Sequence, residues 1–258
     1  MKPRCAWGTL LAAVLAHSAR LAGAQPEALA ARQILRDAGI ESAFIAKTES
    51  AAAPGQSATT VFSTLFVFEG VAWNYSAEGG TTVLGRSPPA GEALPGALRP
   101  LLVRFAPPGA ELTLYAQSIA VESTEMTQRP LPRSCVVGCI AALTRVLERD
   151  GAPAEAGLVL FLFGTAARFD PRNVCTLDHA VLVFRTAAGW ACIDPRAPDA
   201  TFALERVTTG TDLDPMLAAL AKRVDRPLQH SVYFPIAPAT LTRIAEQLAA
   251  RAANRHSP

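Results

Sequence analysis

The chain is short of the residues that carry most recognisable chemistries. It holds four histidines, five cysteines and three methionines among 258 residues, and aromatic residues make up only 7%. Basic and acidic residues nearly cancel, 24 against 22, which excludes an electrostatic footprint for nucleic acid or an anionic membrane surface. There is no glycine-rich phosphate loop, no metalloprotease helix carrying paired histidines, and no serine nucleophile elbow. No internal repeat is present. What remains is a chain with 50% hydrophobic residues, long enough to bury one large core or two small ones.

The first residues follow a three-part order. Lys2 and Arg4 precede an uncharged apolar stretch from Ala6 to Ala16, and the small residues Ala22-Gly23-Ala24 follow. That order is the secretory pattern. The apolar stretch is far below the roughly 20 residues of a membrane-spanning helix. Residues 1–24 are therefore expected to be a cleavable signal peptide, cut near Ala24/Gln25, which places the protein in the periplasm or outside the cell. Cys5 lies too early to be a lipid-attachment site. Cleavage would remove Lys2, Arg4 and Arg20 and no acid, leaving 21 basic residues against 22 acidic ones.

Beyond the leader, residues 28–39 read as a short helix closed by Gly39. Residues 42–46 read as a strand, and Thr60 to Ala116 is mainly β in character, with Val61–Phe68, Leu101–Phe105 and Leu112–Tyr115 as the clearest runs. The segment Arg129-Pro130-Leu131-Pro132 marks a soft boundary between a β-rich region, 25–130, and a second region, 131–258. In the second region Val136, Cys139, Ile140, Leu143, Val146 and Leu147 fall at helical spacing. This predicts a helix from Ser134, a plausible N-cap, to about Arg149, stopped by Gly151 and Pro153. Leu158–Phe163, Ala180–Phe184 and Trp190–Ile193 read as strands, the last two joined by a turn at Ala187-Ala188-Gly189. Met216–Val224, Val232–Ile236 and the run through Leu241, Ile244 and Leu248 read as helix, strand and helix. The order describes an α+β protein.

Removal of the leader leaves Cys135, Cys139, Cys175 and Cys192, with His179, His230 and His256. Cys135 falls in the first turn of the predicted helix, where unpaired N–H groups and the helix dipole favour a thiolate. His179 is expected to open one strand and Asp194 to close the next, so the hairpin brings them to one end. There Asp194 can accept a hydrogen bond from one ring nitrogen of His179 and leave the other facing Cys135. Nucleophile, base and orienting carboxylate form the general triad of covalent catalysis. His230 reads as structural or surface, and His256 belongs to the polar tail. Trp190 is a candidate for lining a substrate cleft, although a tryptophan in a strand is more often core.

The segment Asp178-His179-Ala180-Val181-Leu182-Val183-Phe184, with Gly189-Trp190-Ala191-Cys192-Ile193-Asp194-Pro195, resembles the His and Asp motifs of the transglutaminase-like superfamily. It is most similar to the exported bacterial transglutaminase-like cysteine peptidases. Cys135 through Gly151-Ala152-Pro153-Ala154-Glu155 resembles that family's nucleophile helix and the turn that ends it, and the 44 residues from Cys135 to His179 fit its spacing. The resemblance spans about Ser134 to Pro195. It implies a papain-like core, a nucleophile helix packed on an antiparallel sheet, with Cys135 as nucleophile, His179 as general base and Asp194 as its orienter. It implies a thiol-dependent peptidase, amidase or acyl transferase that acts on a protein or peptide, cell-envelope components included, and needs no cofactor or metal. Gln128, Cys135, Cys139 and the His179…Asp194-Pro195 hairpin also resemble the double-glycine-leader cysteine peptidases, in which Gln128 would donate to the oxyanion. The Cys-to-His interval is short for that family.

Two other readings use the same cysteines. An exported binding module would pair them, since four cysteines allow two bridges in three connectivities. A catalytic Cys135 would leave at most one bridge, of Cys139 or Cys192 with Cys175, and one thiol over. A zinc site from the four cysteines, or with His179 replacing one, is the third reading. It is disfavoured by a Cys-x3-Cys pair that lies on a helix rather than in a knuckle.

Overall fold

A computed structural model of the chain describes residues 27–49, 59–76, 80–86, 111–115, 135–162, 175–197, 201–203 and 214–255. The expected signal peptide at residues 1–24, Leu101–Phe105, Gln128 and Ser134 lie outside the described residues. Helix α1 covers 27–37. Strands β1 (Ser42–Glu49), β2 (Thr59–Phe68), β3 (Val71–Ser76), β4 (Gly80–Arg86) and β5 (Glu111–Tyr115) follow. Then come α2 (Cys135–Asp150), β6 (Ala156–Leu162), β7 (Cys175–Thr186), β8 (Gly189–Ile193), β9 (Thr201–Ala203), α3 (Asp214–Val224), β10 (Ser231–Ile236) and α4 (Pro238–Arg255). Among the described residues, no helix is long and apolar enough to cross a membrane.

The ten described strands pair antiparallel in one sheet, in the order β10-β6-β7-β4-β3-β2-β1-β5, with β8 on β7 and β9 on β8. The protein is thus α+β with an antiparallel sheet. The sheet is strongly curled. Trp73 on β3 meets Phe234 on β10 edge-on with ring centroids 5.6 Å apart, whereas four strand spacings in a flat sheet would set these strands about 19 Å apart.

Helix α2 forms because one stripe of its residues is apolar over about three turns, and all of that stripe is buried: Val136, Ile140, Leu143 and Leu147. Gly151 ends it with φ +79° and an N–H bonded to the carbonyl of Leu147, a left-handed closure that suits glycine. The strands beneath alternate between two cores. Leu158, Leu160, Ala180, Leu182, Phe184, Ala191 and Ile193 face the larger one, under α1, α2 and α4. Val159, Phe161, Val181, Val183, Trp190 and Cys192 face a smaller one under Met216, Leu220 and Ala221 of α3. Coverage on both faces is why β6 and β7 read as continuous apolar runs.

The boundary expected near residue 131 does not divide the core. Leu35, Phe66 and Trp73 share one cluster with Ile140, Leu158 and Phe234, and β4 pairs directly with β7. Strand β7 is the seam. It also begins earlier than its apolar run suggests: Cys175 and Thr176 pair with Val83 and Thr82, so His179 lies inside the strand rather than at its opening.

Candidate functional site at the open end of the β7–β8 hairpin

Strand β7 changes neighbours along one edge. β4 pairs with residues 175 and 176, β8 pairs with residues 182–186, and β6 runs along the opposite edge from Leu177 to Phe184. Residues 178–181 face neither β4 nor β8 in these pairings, and His179 sits in that interval. The register against β6 shifts here too: Phe161 opposes His179, but the next residue, Leu162, opposes Leu177. Asp178 is therefore the extra residue of a bulge. A bulge kinks its strand and re-aims the next side chain. Asp178 is tied outward to Arg226, just beyond α3.

His179 is 1% exposed, and its ring lies nearly parallel to that of Phe161, centroids 6.3 Å apart. Its Nε2 is 3.1 Å from Oδ2 of Asp194. Asp194 follows the last residue of β8, and its carboxylate is fastened by Arg196 two residues on. Oδ1 accepts the Arg196 backbone N–H at 2.9 Å, and Oδ2 accepts Nη2 at 2.7 Å. Nε lies 3.2 Å from each oxygen. Burial pushes the Asp194 carboxyl up, but hydrogen bonds from His179 and Arg196 outweigh it, and the group is held well below the usual carboxylate range. It is a carboxylate at any ordinary pH.

Helix α2 reaches this pair through its first turn. A Cβ at Gly138 would lie 2.5 Å from Cβ of Pro195, so the helix backbone rests on the proline that follows Asp194. Only glycine permits that approach. The first residue of α2 is Cys135, whose side chain lies outside the described residues.

Cys139 and Cys192 are poorly placed for thiolate chemistry. Cys139 is fully buried in the larger core. Cys192 is a free cysteine in the smaller one, its thiol pushed up to about 11 by burial, with Asp194 adding to the rise and Arg223 opposing it. The two lie on opposite faces of the sheet, which removes a bridge between them and the four-cysteine zinc site that would unite them. The Cys175 side chain lies outside the described residues. Trp190 is 7% exposed and packs edge-on to Tyr233, centroids 6.2 Å apart. It belongs to the core at the turn end of β8, four strand residues or about 13 Å from Asp194, rather than to a cleft beside it. His230 closes a short 3₁₀ turn before β10.

Sequence reasoning missed three parts of this arrangement. Arg196 had a signal in the Asp-Pro-Arg spacing, which allows an acid to be held from the turn that follows it. Gly138 had one in being an isolated glycine within a helical pattern, a position with a packing reason more often than not. Phe161 had none, because its contact with His179 depends on the bulge. No protein-family model matches the chain, and no curated protein or solved structure matches it either.

Proposed function

We propose that the protein is an exported thiol-dependent peptidase, amidase or acyl transferase that acts through Cys135, His179 and Asp194 on a papain-like, transglutaminase-like core. One observation carries this reading: a buried imidazole bonded to an ionised carboxylate, with the first turn of the Cys135 helix resting on the residue next to that carboxylate. A pair of this kind, dried by burial and fixed in one tautomer, is what a thiol needs as a base.

With Nε2 given to Asp194, the ring exchanges protons with Cys135 through Nδ1. His179 takes the Sγ proton, the thiolate adds to a substrate carbonyl carbon, and the oxyanion is held by backbone N–H groups at the start of α2, with Gln128 as a side-chain donor. The imidazolium then gives its proton to the departing amine as the C–N bond breaks and a thioester remains. Water, or an amine in the transferase version, loses a proton to His179 as it attacks the thioester, and the thiol is restored. Asp194 holds the ring and balances its charge throughout. The secretory pattern of residues 1–24 supports export, and protein or peptide is the substrate class.

Labelling with iodoacetamide at pH 6, followed by mapping of the modified residue, tests the assignment. Cys135 should react first, because a thiol paired with imidazole and a helix N-terminus is ionised there while an ordinary one is not. His179→Ala should abolish the preference. A Cys135 found in a disulfide, or alkylated no faster than an ordinary thiol, would leave a non-catalytic module on the same fold.

A further inference from the structure

Asp194 is bound more closely by Arg196 than by His179. The guanidinium fork meets both carboxylate oxygens, with its shortest contact at 2.7 Å, and the backbone N–H of the same residue adds a third point. His179 holds only Oδ2, at 3.1 Å. The exposures step outward, from a 2% exposed His179 side chain through 13% for Asp194 to 55% for Arg196. Arg196 therefore forms the solvent side of an otherwise buried pair. Below it, Pro195 is fixed against the α2 backbone at Gly138, so the 194–196 turn is clamped from two directions.

We infer that Arg196 is a positioning residue of the site: its fork sets the rotamer and the charge of Asp194, so that Oδ2 stays on Nε2 of His179 whatever the state of the surrounding solvent. The inference rests on the triad proposed above and names the group that keeps it working at acidic pH. Among the described residues, the other titratable groups that act on Asp194 or sit beside it on β8 are His179 on β7 and Cys192, with Arg223 of α3 acting on that thiol. None replaces the fork. The Cys192 thiol is neutral below about 11, and Arg223 is not among the groups that set the Asp194 carboxyl. A bidentate guanidinium fixes both the direction and the ionisation of a carboxylate, which a lone ammonium does less well.

Three variants of the full mature chain test this: Arg196→Met, Arg196→Lys and, as a control, Arg185→Met at the far end of the hairpin. The readouts are the Asp194 carboxyl ¹³C shift and the His179 ring ¹⁵N shifts, followed against pH. Arg196→Met should raise the Asp194 midpoint by about 1–3 pH units, the usual effect of one close opposite charge. It should also turn a single His179 tautomer into a mixture. Arg196→Lys should recover most of the midpoint but not the single tautomer, and Arg185→Met should change neither. An Asp194 midpoint in Arg196→Met equal to that of the wild type, or a tautomer unchanged in both Arg196 variants, would overturn the inference. These readouts do not involve Cys135. Failure of the alkylation test above would remove the catalytic reading and leave the Arg196–Asp194–His179 result standing, so the two failures are separable.

Discussion

The two ends of the β7–β8 hairpin carry the same kinds of charge and use them differently. At the turn end, Arg185 lies 3.8 Å from Glu155, and both side chains are more than 40% exposed. At the open end, Asp194 is 13% exposed and holds His179 and Arg196 at 3.1 and 2.7 Å. Water screens the first pair to about 1 kcal/mol or less. The second sits where desolvation pushes the carboxyl up and its partners more than reverse that push. Burial, rather than the presence of a contact, decides which pair controls a protonation state.

The strongest way to break this contrast is Asp194→Asn. The side chain keeps its shape but loses the charge that fixes the His179 tautomer. On the proposed triad, alkylation of Cys135 at pH 6 should slow by about 100-fold, because its thiol would lose the base that ionises it. A rate within threefold of the wild type would mean that the open end does no more than the turn end.

Each end also has a glycine under a ring. The Gly138 Cβ direction points at Pro195, and that of Gly157 points at the Tyr233 ring, with 2.5 and 2.4 Å to the nearest atoms. The distances are alike but the obstacles are not. Pro195 cannot rotate away from a helix backbone, whereas Tyr233 is a half-buried side chain able to swing. Gly138→Ala should cost about 1–3 kcal/mol by overpacking, despite a helix-propensity gain of up to about 1, and should displace Asp194. Gly157→Ala should cost less and leave Cys135 alkylation unchanged. Thermal melts with the alkylation rate separate the two; equal losses at both sites would remove the distinction.

Legibility in the sequence followed the same line. The α2 stripe, the apolar β6 and β7 runs, and the turn at 187–189 depend on local periodicity, and they could be read. So could the bonding of His179 to Asp194, because a hairpin with a defined turn sets which residues share an end. The features that depend on neighbours far along the chain could not. The early start of β7 needs β4 as a partner, the bulge at Asp178 needs the β6 register, and the larger core, shared by both halves of the chain, needs Trp73 and Phe234 brought together by sheet curvature.

Alkaline titration assigns one step to each end. The Cys192 thiol, two residues from Asp194, moves from 9.0 to about 11 on folding, mainly by burial. Between those values the unfolded chain has released the proton and the folded one has not. Stability therefore falls as pH rises from about 9 to about 11, by roughly 2–3 kcal/mol, and levels off above. Tyr233 at the turn end is also pushed up, by burial and by Glu155, so its loss begins above its ordinary value of 10.0. Denaturation midpoints in Cys192→Ala should be flat between pH 9 and 10 and fall only above. A wild-type curve already flat to pH 10 would show that the thiol is not held as described.

The smallest expected effect is Arg185→Ala. Its partner Glu155 also lies near the Tyr233 hydroxyl, at 3.4 Å, so removing Arg185 could act in two ways: by losing an ion pair, or by leaving Glu155 to repel a phenolate. At neutral pH the phenol is uncharged and only the first applies, so the melting temperature should move by no more than about 1 kcal/mol implies. The second would add to it only once the folded phenol ionises, well above its ordinary value of 10.0, and it is there that the wild-type and variant curves should separate. The separation should be suppressed by 1 M salt, where the screening length falls to about 3 Å. The Asp194 carboxyl signal should be far less sensitive to the same salt, because both partners touch it directly and its own oxygens, with His179 behind them, are largely shielded from water. A salt response of equal size at the two ends would show that solvent reaches both, and that burial does not divide them.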